Sequence, residues 1–243
     1  MDLANKTALV TGGGTGIGRA VAVALARQGC RVAIAGRREE KLREAAALFT
    51  SQPAIACCAC DVGNLESVQK LLAWAAGELG RIDILVNSAG INVRNRTMAQ
   101  LSCEDWEKMM QINATGAFYC MREVLPAMRQ REDGLIINIC SIAGKRASLL
   151  GGVGYSASKF AMTALGMTAA LEEGKYKIRI SNVYPGEVNT PILDGRPVAV
   201  SEEHRQAILQ PEDLASAVLM IANLPPRAHI PELIIKPTHQ DYA

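Results

Sequence analysis

The chain has 243 residues, and its 26 Lys and Arg nearly balance its 24 Asp and Glu, which leaves a formal net charge of +2. Nucleic-acid-binding domains normally carry a clustered basic excess, so this balance argues against that class of protein. Hydrophobic residues make up 49% of the chain but aromatic residues only 4%, which favours a core of small aliphatic side chains over an aromatic-rich sandwich or propeller.

Short apolar segments alternate with helical segments along the chain. The apolar segments that have the length of buried strands are Thr7–Val10, Arg31–Ala35, Ala54–Cys58, Ile82–Asn87, Leu135–Cys140, Ile178–Val183 and Leu233–Lys236. The predicted helices between them are Ile17–Gln28, Glu39–Phe49, Leu65–Leu79, Cys103–Arg129, Tyr155–Glu173 and Pro211–Ala222. Because strands buried on both faces are continuously apolar, this alternation predicts an α/β fold with a parallel sheet covered by helices on both sides.

The sequence contains no linker, repeat or break in composition, and we predict one domain over residues 1–243. The most irregular segment, about 189–203, is predicted to be a mobile flap beside the substrate site. No run approaches the roughly 18–20 apolar residues of a membrane span. The N-terminus lacks the pattern of a secretory signal, so a cytoplasmic protein is expected.

The seven cysteines are odd in number and mostly have apolar neighbours. This pattern predicts reduced thiols that pack as small core residues in a reducing compartment. Cys57, Cys58 and Cys60 are close in sequence, but no Cys or His pair follows them at zinc-binding spacing, so no metal site is predicted.

A glycine-rich turn, Thr11-Gly12-Gly13-Gly14-Thr15-Gly16-Ile17-Gly18, lies between the first predicted strand and the first predicted helix. Glycine allows a sharp turn and a close approach of the backbone to a phosphate, and the helix N-terminus behind it offers free N–H groups. The spacing is G-x-x-x-G-x-G and no Lys-Ser/Thr pair follows, which argues against ATP hydrolysis. The turn therefore predicts a nucleotide phosphate site.

The end of the second predicted strand reads Ala35-Gly36-Arg37-Arg38. An acidic side chain at this place would accept hydrogen bonds from a ribose 2′-hydroxyl, whereas a guanidinium can bind a 2′-phosphate through two parallel hydrogen bonds. The arginines favour NADP(H), although they would also be found if they only solvated the start of a helix.

Ser141 follows the fifth predicted strand, and Tyr155 and Lys159 stand at positions i and i+4 of a predicted helix, on one face. An ammonium beside a phenol stabilises the phenolate and makes the phenol a better base near neutral pH. Most isolated Tyr-x-x-x-Lys pairs are surface pairs, but this one follows a nucleotide-binding half. We therefore interpret the three residues as a set that moves a proton to or from a carbonyl or alcohol oxygen.

The combined motifs resemble those of the short-chain dehydrogenase/reductase superfamily over essentially the whole chain. The motifs that carry the resemblance are, in order, the glycine turn, Asp61-Val62, Asn87-Ser88-Ala89-Gly90, Asn113, Ser141, Tyr155-x-x-x-Lys159 and Pro185-Gly186. The resemblance implies a single doubly wound Rossmann-type domain with a mostly parallel seven-stranded sheet.

The resemblance also implies a role for each site residue. Tyr155 would be the general acid and base, Ser141 would orient the substrate oxygen, Lys159 would bind the nicotinamide ribose and favour the phenolate, and Asn113 would hold a water of a proton relay. The implied cofactor-binding residues are Gly12, Gly14, Thr15, Gly16, Ile17, Gly18, Arg37, Arg38, Asp61, Val62, Asn87, Ala89, Gly90, Tyr155, Lys159, Pro185, Gly186, Val188 and Thr190. NADP(H) is the favoured cofactor, with NAD(H) as the alternative, and pairing of the central helices implies a homodimer or homotetramer.

Two features depart from the usual family pattern. Ser88 replaces the second asparagine of the Asn-Asn-Ala-Gly motif. The C-terminal Pro231–Thr238 segment lacks the Asp-Gly-Gly ending of tetrameric fatty-acid-type reductases and looks more like the branch that contains serine and 3-hydroxy-acid dehydrogenases.

The expected partner is a small carbonyl or alcohol substrate. Candidate pocket residues follow the fourth, fifth and sixth strands: Asn92, Val93, Arg94, Ile142–Leu150, Glu187 and Ile192–Val200. Arg94, Lys145 or Arg146 would suit a carboxylate, which motivates a hydroxy-acid or oxo-acid substrate, although such cations are commonly only solvated. Two other functions stay open: a catalytically silent cofactor-binding regulatory or scaffold protein, and a methyltransferase, which would leave Tyr155 and Lys159 unexplained.

Overall fold

The computed structural model of the chain describes residues 3–240, and the remaining residues of the predicted domain, 1–2 and 241–243, lie outside the described range. The strands are β1 (Thr7–Thr11), β2 (Arg31–Gly36), β3 (Ala56–Ala59), β4 (Ile84–Asn87), β5 (Gly134–Ile139), β6 (Ile178–Pro185) and β7 (Glu232–Ile235). The α-helices are α1 (Gly16–Arg27), α2 (Glu39–Ala46), α3 (Leu65–Leu79), α4 (Cys103–Met110), α5 (Gly116–Arg131), α6 (Val153–Glu173), α7 (Glu202–Ala207) and α8 (Pro211–Ala222).

The seven strands form one sheet in the order β3-β2-β1-β4-β5-β6-β7. Every neighbouring pair is parallel, so the sheet is fully rather than mostly parallel. The chain moves outward from β1 in one direction and then from β4 in the other. This reversal opens a crevice at the carboxyl ends of the strands, which is where ligands bind in open α/β sheets.

Helices cover both faces of the sheet and form two apolar cores. On one face α1 and α8 contribute aliphatic residues such as Leu25 and Val218, and on the other α3 and α5 contribute residues such as Leu71 and Val124. The inner strands β1, β4 and β5 lie between them and are buried on both sides, which explains their continuous apolar sequences. The predicted α/β class and doubly wound architecture are confirmed.

Two of the differences from the predicted element bounds have a clear local cause. The long predicted helix Cys103–Arg129 is two helices, α4 and α5, joined by a π-helical turn at Gln111–Thr115. The third strand begins at Ala56 rather than Ala54, because the amide N–H of Ala54 donates to the side chain of Gln52 and is not available for pairing with β2.

A row of three buried asparagines crosses the centre of the sheet. Asn87, Asn138 and Asn182 are directly opposite one another on β4, β5 and β6. The Asn87 amide donates to Asn138 Oδ1 at 3.0 Å, and the Asn138 amide donates to Asn182 Oδ1 at 3.0 Å. Because buried amides need partners, this asparagine ladder fixes the register of the three strands that end beside the site.

All seven cysteines are free thiols, as their sequence context suggested. Burial raises the pKa of Cys30 and Cys120 to about 12 and that of Cys140 to about 11, so these thiols stay protonated. Over residues 3–240, no helix combines the length and apolar character that crossing a membrane requires.

Candidate active site and cofactor cleft

The glycine turn packs so closely against its neighbours that side chains would not fit at several of its positions, among them Gly12 and Gly18. Gly12 has a φ of +68°, and a Cβ there would lie 2.8 Å from the backbone of Ala89. A Cβ on Gly18, in the first turn of α1, would collide with the carbonyl oxygen of Gly12. The turn is therefore compact, and the N-terminus of α1 behind it is open to a phosphate.

An open cleft extends from this turn across the ends of β2, β3 and β4. Nine of the predicted cofactor residues line it: Gly12, Gly14, Thr15, Arg37, Arg38, Asp61, Val62, Ala89 and Gly90. The sequence reasoning had missed six further lining residues: Gly36, Lys41, Leu42, Cys60, Ile91 and Ile112. A dinucleotide suits this cleft, because the tight turn at Gly12 and Gly18 is the form that a pyrophosphate needs.

Three cations stand at the end of the cleft beyond β2. Arg37 and Arg38 are exposed on the cleft wall, and Arg38 is the N-cap of α2. Lys41 also lines the cleft and is paired with Glu44 at 2.7 Å. β2 ends at Gly36 with no acidic residue directly behind it, so the two arginines are the groups nearest to where a ribose would lie.

Asp61 follows β3 on the opposite wall of the cleft and is oriented by its own loop. Its Oδ1 accepts a hydrogen bond from the amide of Gly63 at 3.0 Å, and its amide donates to Ser67 Oγ at 3.1 Å. The neighbouring Val62 is buried. Asp61 therefore presents its carboxylate to the cleft from a fixed position.

Four of the predicted cofactor residues have side chains that are wholly or partly buried. Pro185 and Val188 are buried, and Ile17 packs partly on the core. The Asn87 amide donates to the asparagine ladder, whereas its Oδ1 has no hydrogen-bond partner.

Asn113 lies in the π-helical turn and is completely buried. Its side chain accepts from the amide of Ile91 at 2.8 Å and donates to the Ile91 carbonyl at 2.9 Å and to Ser158 Oγ at 3.0 Å. Ser158 Oγ in turn donates to the carbonyl of Tyr155 at 2.8 Å. Asn113 thus connects the loop after β4 to the first turn of α6, and both hydrogens of its side-chain amide are donated.

Tyr155 and Lys159 lie in the first two turns of α6. Lys159 is 4% exposed, and its Nζ lies 5.7 Å from the centre of the Tyr155 ring. The same Nζ donates to the carbonyl of Ile139 at 3.0 Å, and a Cβ on Gly90 would lie 3.5 Å from it. The structure therefore brings α6 and the ends of β4 and β5 together around one buried ammonium.

Ser141 stands just beyond β5 and is the N-cap of a short 3-10 turn, Ile142–Gly144. Its Oγ accepts a hydrogen bond from the amide of Ala143 at 3.1 Å. Because this bond uses an acceptor lone pair, the hydroxyl hydrogen of Ser141 can be donated to another oxygen.

The segment after β6 closes over the glycine turn. A Cβ on Gly16, which has a φ of +53°, would lie 3.1 Å from the Thr190 side chain. The amide of Gly186 donates to the carbonyl of Ile235 at 2.7 Å, and its Cα faces the side chain of Gln240. Thr190 and Gly186 are therefore held at opposite ends of this segment.

The predicted flap, about 189–203, contains a 3-10 turn, Pro191–Gly195, and ends in the first residues of the helix α7. Glu187 Oε2 accepts hydrogen bonds from Arg196 at 2.8 Å and from the His204 ring at 2.9 Å. Burial acts to raise the pKa of Glu187, but the hydrogen bonds from His204 and Arg196 outweigh it and hold the pKa below its usual range. His204 thus fastens the flap to the segment just after β6.

Of the three cations suggested for a carboxylate, Lys145 forms an ion pair with Glu232 and lies 4.8 Å from the centre of the Tyr184 ring. Hydrogen bonds from Lys145 and Tyr184 keep the pKa of Glu232 low, so the Lys145 charge is already compensated. Arg94 and Arg146 are exposed. In the part of the chain that the structure describes, no group of three or more His, Cys, Asp or Glu could hold a metal ion.

A family model for short chain dehydrogenase matches residues 6–198. An uncharacterized oxidoreductase of Staphylococcus aureus (strain USA300) is 33% identical over 235 residues, which are 97% of this chain and 98% of the relative. The chain belongs to the short-chain dehydrogenase/reductase family. It is accordingly an oxidoreductase, and the resemblance noted in its motifs is confirmed.

Solved structures of other short-chain dehydrogenases superpose closely on this chain. The closed form of a serine dehydrogenase complexed with NADP+ is 32% identical, covers 98% of this chain and 97% of its own, and has a TM-score of 0.89. An alcohol dehydrogenase from the archaeon Thermococcus sibiricus complexed with 5-hydroxy-NADP is 27% identical, covers 97% and 98%, and has a TM-score of 0.87.

Proposed function

We propose that this protein is an NADP(H)-dependent oxidoreductase that interconverts a carbonyl group and a secondary alcohol in a small molecule, with Tyr155 as the general acid and base. The observation that carries the proposal is the buried ammonium of Lys159. It lies 5.7 Å from the Tyr155 ring centre and is bonded to Ile139, two residues before Ser141. The Lys159 ammonium is thus placed to stabilise a phenolate at Tyr155 and to bind a ligand group next to Ser141.

The residues of the site would share the proton chemistry as follows. The bound nicotinamide supplies or accepts the hydride. Ser141 donates a hydrogen bond to the substrate oxygen, and Tyr155 gives a proton to that oxygen in reduction or removes it in oxidation. Lys159 stabilises the negative charge on Tyr155 during the transfer. Since both amide hydrogens of Asn113 are donated to Ile91 and Ser158, we assign any water-holding role of this residue to its acceptors, Oδ1 or the main-chain carbonyl.

The cofactor preference is proposed from the arginines at the end of β2. Arg37→Ala is expected to weaken NADPH binding by about 10–100-fold, because a charge-assisted bond to a phosphate contributes about 1.5–3 kcal/mol. NADH binding should change by less than about threefold, since the 2′-hydroxyl of NADH carries no charge for the guanidinium to bind. Dissociation constants from cofactor fluorescence would measure both effects, and Arg227→Ala, an exposed arginine outside the cleft, is the control.

Two results would contradict the NADP(H) assignment. One is tighter binding of NADH than of NADPH by the wild-type protein. The other is an equal loss of both cofactors in Arg37→Ala, which would mean that the arginine supports the fold of the cleft rather than the 2′-phosphate.

The overall reaction is tested by following NADPH oxidation with neutral ketones, diketones, sugars, oxo-acids and acyl thioesters. The similarity to a serine dehydrogenase, whose name implies a small hydroxy acid as substrate, supports placing oxo-acids and hydroxy acids first. Turnover that depends on Tyr155 supports an enzyme. Tight cofactor binding with no turnover across the panel, in either direction, would instead indicate the silent regulatory or scaffold protein.

We also propose that the protein forms a homodimer or homotetramer. Large apolar side chains are exposed on α5 and α6, among them Phe118, Phe160, Met167 and Leu171, of which Leu171 is 86% exposed. Large apolar side chains exposed on two helices in this way are typical of an interaction surface. Light scattering should give two or four times the chain mass, and Phe160→Glu should lower it; a monomeric wild type would overturn the proposal.

We also propose a cytoplasmic location and a single domain over residues 1–243. The location is supported by the seven free thiols, since a reducing compartment keeps cysteines unpaired. The single domain is supported by the one continuous sheet.

A further inference from the structure

Arg96 is a buried arginine that the motifs do not include. It is 5% exposed, and its guanidinium donates hydrogen bonds to three main-chain carbonyls. The acceptors are Val93 at 2.9 Å, Leu150 at 2.9 Å and Gly195 at 2.8 Å. All three acceptors are neutral backbone oxygens, and none is a carboxylate oxygen.

The three carbonyls belong to three different loops at the carboxyl edge of the sheet. Val93 follows β4, Leu150 follows β5, and Gly195 ends the 3-10 turn of the flap after β6. These are the loops in which the substrate pocket is expected. One planar side chain thus joins all three, and its fixed fork of donors is what allows it to do so.

Arg96 is also tied to the helix that carries Tyr155. Its carbonyl accepts from the amide of Val153, the first residue of α6, at 3.1 Å. Gly152, with a φ of +79°, packs on the Arg96 side chain so closely that a Cβ would lie 2.6 Å from Arg96 Cβ. Burial lowers the pKa of the Arg96 guanidinium, as does the charge of Arg196, while Tyr155 raises it; the guanidinium is therefore electrostatically close to the tyrosine.

The other bonds of the flap stay within the segment that follows β6. Arg196 binds Glu187, and Arg205 binds Asp194 at 2.5 Å. These contacts hold the flap to its own stem, whereas the Arg96 bond to Gly195 reaches across the pocket from the loops after β4 and β5.

We propose that Arg96 is a positioning residue that fastens the flap across the substrate pocket and so sets the closed form of the site. The bond to Gly195 holds the Pro191–Gly195 turn against the loops after β4 and β5. Without this bond the flap would remain attached at Glu187 but would open on the pocket side. The kinetic part of this inference rests on the proposed oxidoreductase activity; the conformational part does not.

The test is Arg96→Lys, which keeps the positive charge but replaces the fork by one nitrogen that cannot span three loops. Hydrogen exchange of the amides in residues 192–196 should become at least about tenfold faster in the apo protein, as expected for a local opening that has lost one hydrogen bond. With the best substrate of the panel, KM should rise about tenfold while kcat and the NADPH dissociation constant stay within about twofold, because closure rather than chemistry is affected. The matched control is Arg227→Lys, since Arg227 is an exposed arginine in the loop before β7. This variant should change neither the flap exchange nor KM.

Unchanged flap exchange in a folded Arg96→Lys variant would overturn the inference, whatever the kinetics. A lower melting temperature with wild-type KM and wild-type flap exchange would also overturn it, because Arg96 would then serve the fold alone. If Arg96→Lys does not fold, Arg96→Gln is measured in the same way, and exogenous ethylguanidinium should restore slow exchange in the flap if the fastening is real. If the protein has no oxidoreductase activity, the exchange measurement still decides between these outcomes.

Discussion

Tyr155→Phe is expected to lower the rate of NADPH-dependent carbonyl reduction by about 10²–10⁴-fold, the usual range for loss of a general acid. Phenylalanine keeps the ring in the half-buried position beside Lys159 and removes only the hydroxyl. NADPH binding should therefore weaken by no more than about tenfold, since a single hydrogen bond contributes about 0.5–1.5 kcal/mol. Stopped-flow or steady-state absorbance at the nicotinamide band measures the rate, and cofactor fluorescence measures binding.

The matched control for this variant is Tyr176→Phe. Tyr176 lies before β6, at the opposite edge of the sheet, and contacts Arg129. The Tyr176→Phe variant should leave both the rate of carbonyl reduction and NADPH binding unchanged. If Tyr155→Phe retained more than about a tenth of the wild-type rate, a different group would have to supply the proton, and the assignment of Tyr155 as general acid and base would be wrong.

Gly18→Ala is expected to cost about 1–3 kcal/mol of folding stability and to weaken NADPH binding by roughly 5–150-fold. In a helix, alanine normally stabilises by about 1 kcal/mol relative to glycine. Here the added Cβ would collide with the carbonyl oxygen of Gly12, so the turn must open. This opening would move the backbone N–H groups away from the positions in which they would bind the phosphate. Thermal melting and cofactor titration measure the two effects.

Gly77→Ala is the internal control for this prediction. Gly77 is also helical, in α3, and a Cβ there meets nothing within 4 Å. It should raise the free energy of unfolding by up to about 1 kcal/mol and leave NADPH binding unchanged. Tight NADPH binding by a folded Gly18→Ala protein would show that the closed turn is not needed for the cofactor.

Local patterns were sufficient to predict the architecture and most of the cofactor cleft. The continuous apolar strands and the turn from Thr11 to Gly18 each carry their signal within a few residues. Tyr155 and Lys159 were predicted for the same reason, since a spacing of four in a helix puts two side chains on one face. The role of each of these residues stays a prediction until the variants are measured.

Features that depend on contacts between distant segments could not be predicted. The pairing of Lys145 with Glu232 removes its charge from the pocket, and neither residue signals the other in the sequence. In the same way, nothing distinguishes Arg94 from Arg96 in an irregular loop, yet one is exposed and the other joins three loops. The π-helical turn around Asn113 was hidden in a segment with ordinary helical spacing, because it is the side-chain bonds to Ile91 that hold Asn113 in place.

The asparagine ladder has a consequence for how new specificities can arise on this scaffold. Gly90, Ser141 and Pro185 each stand three residues beyond an asparagine of the ladder, at Asn87, Asn138 and Asn182. If one strand slipped by a single residue, it would leave buried amides without hydrogen-bond partners. The register of the three strands, and with it the relative position of the three residues, is therefore fixed. The loops that follow can therefore be lengthened, shortened or exchanged while Gly90, Ser141 and Pro185 keep their mutual distances, and substrate choice can diverge without moving these three positions.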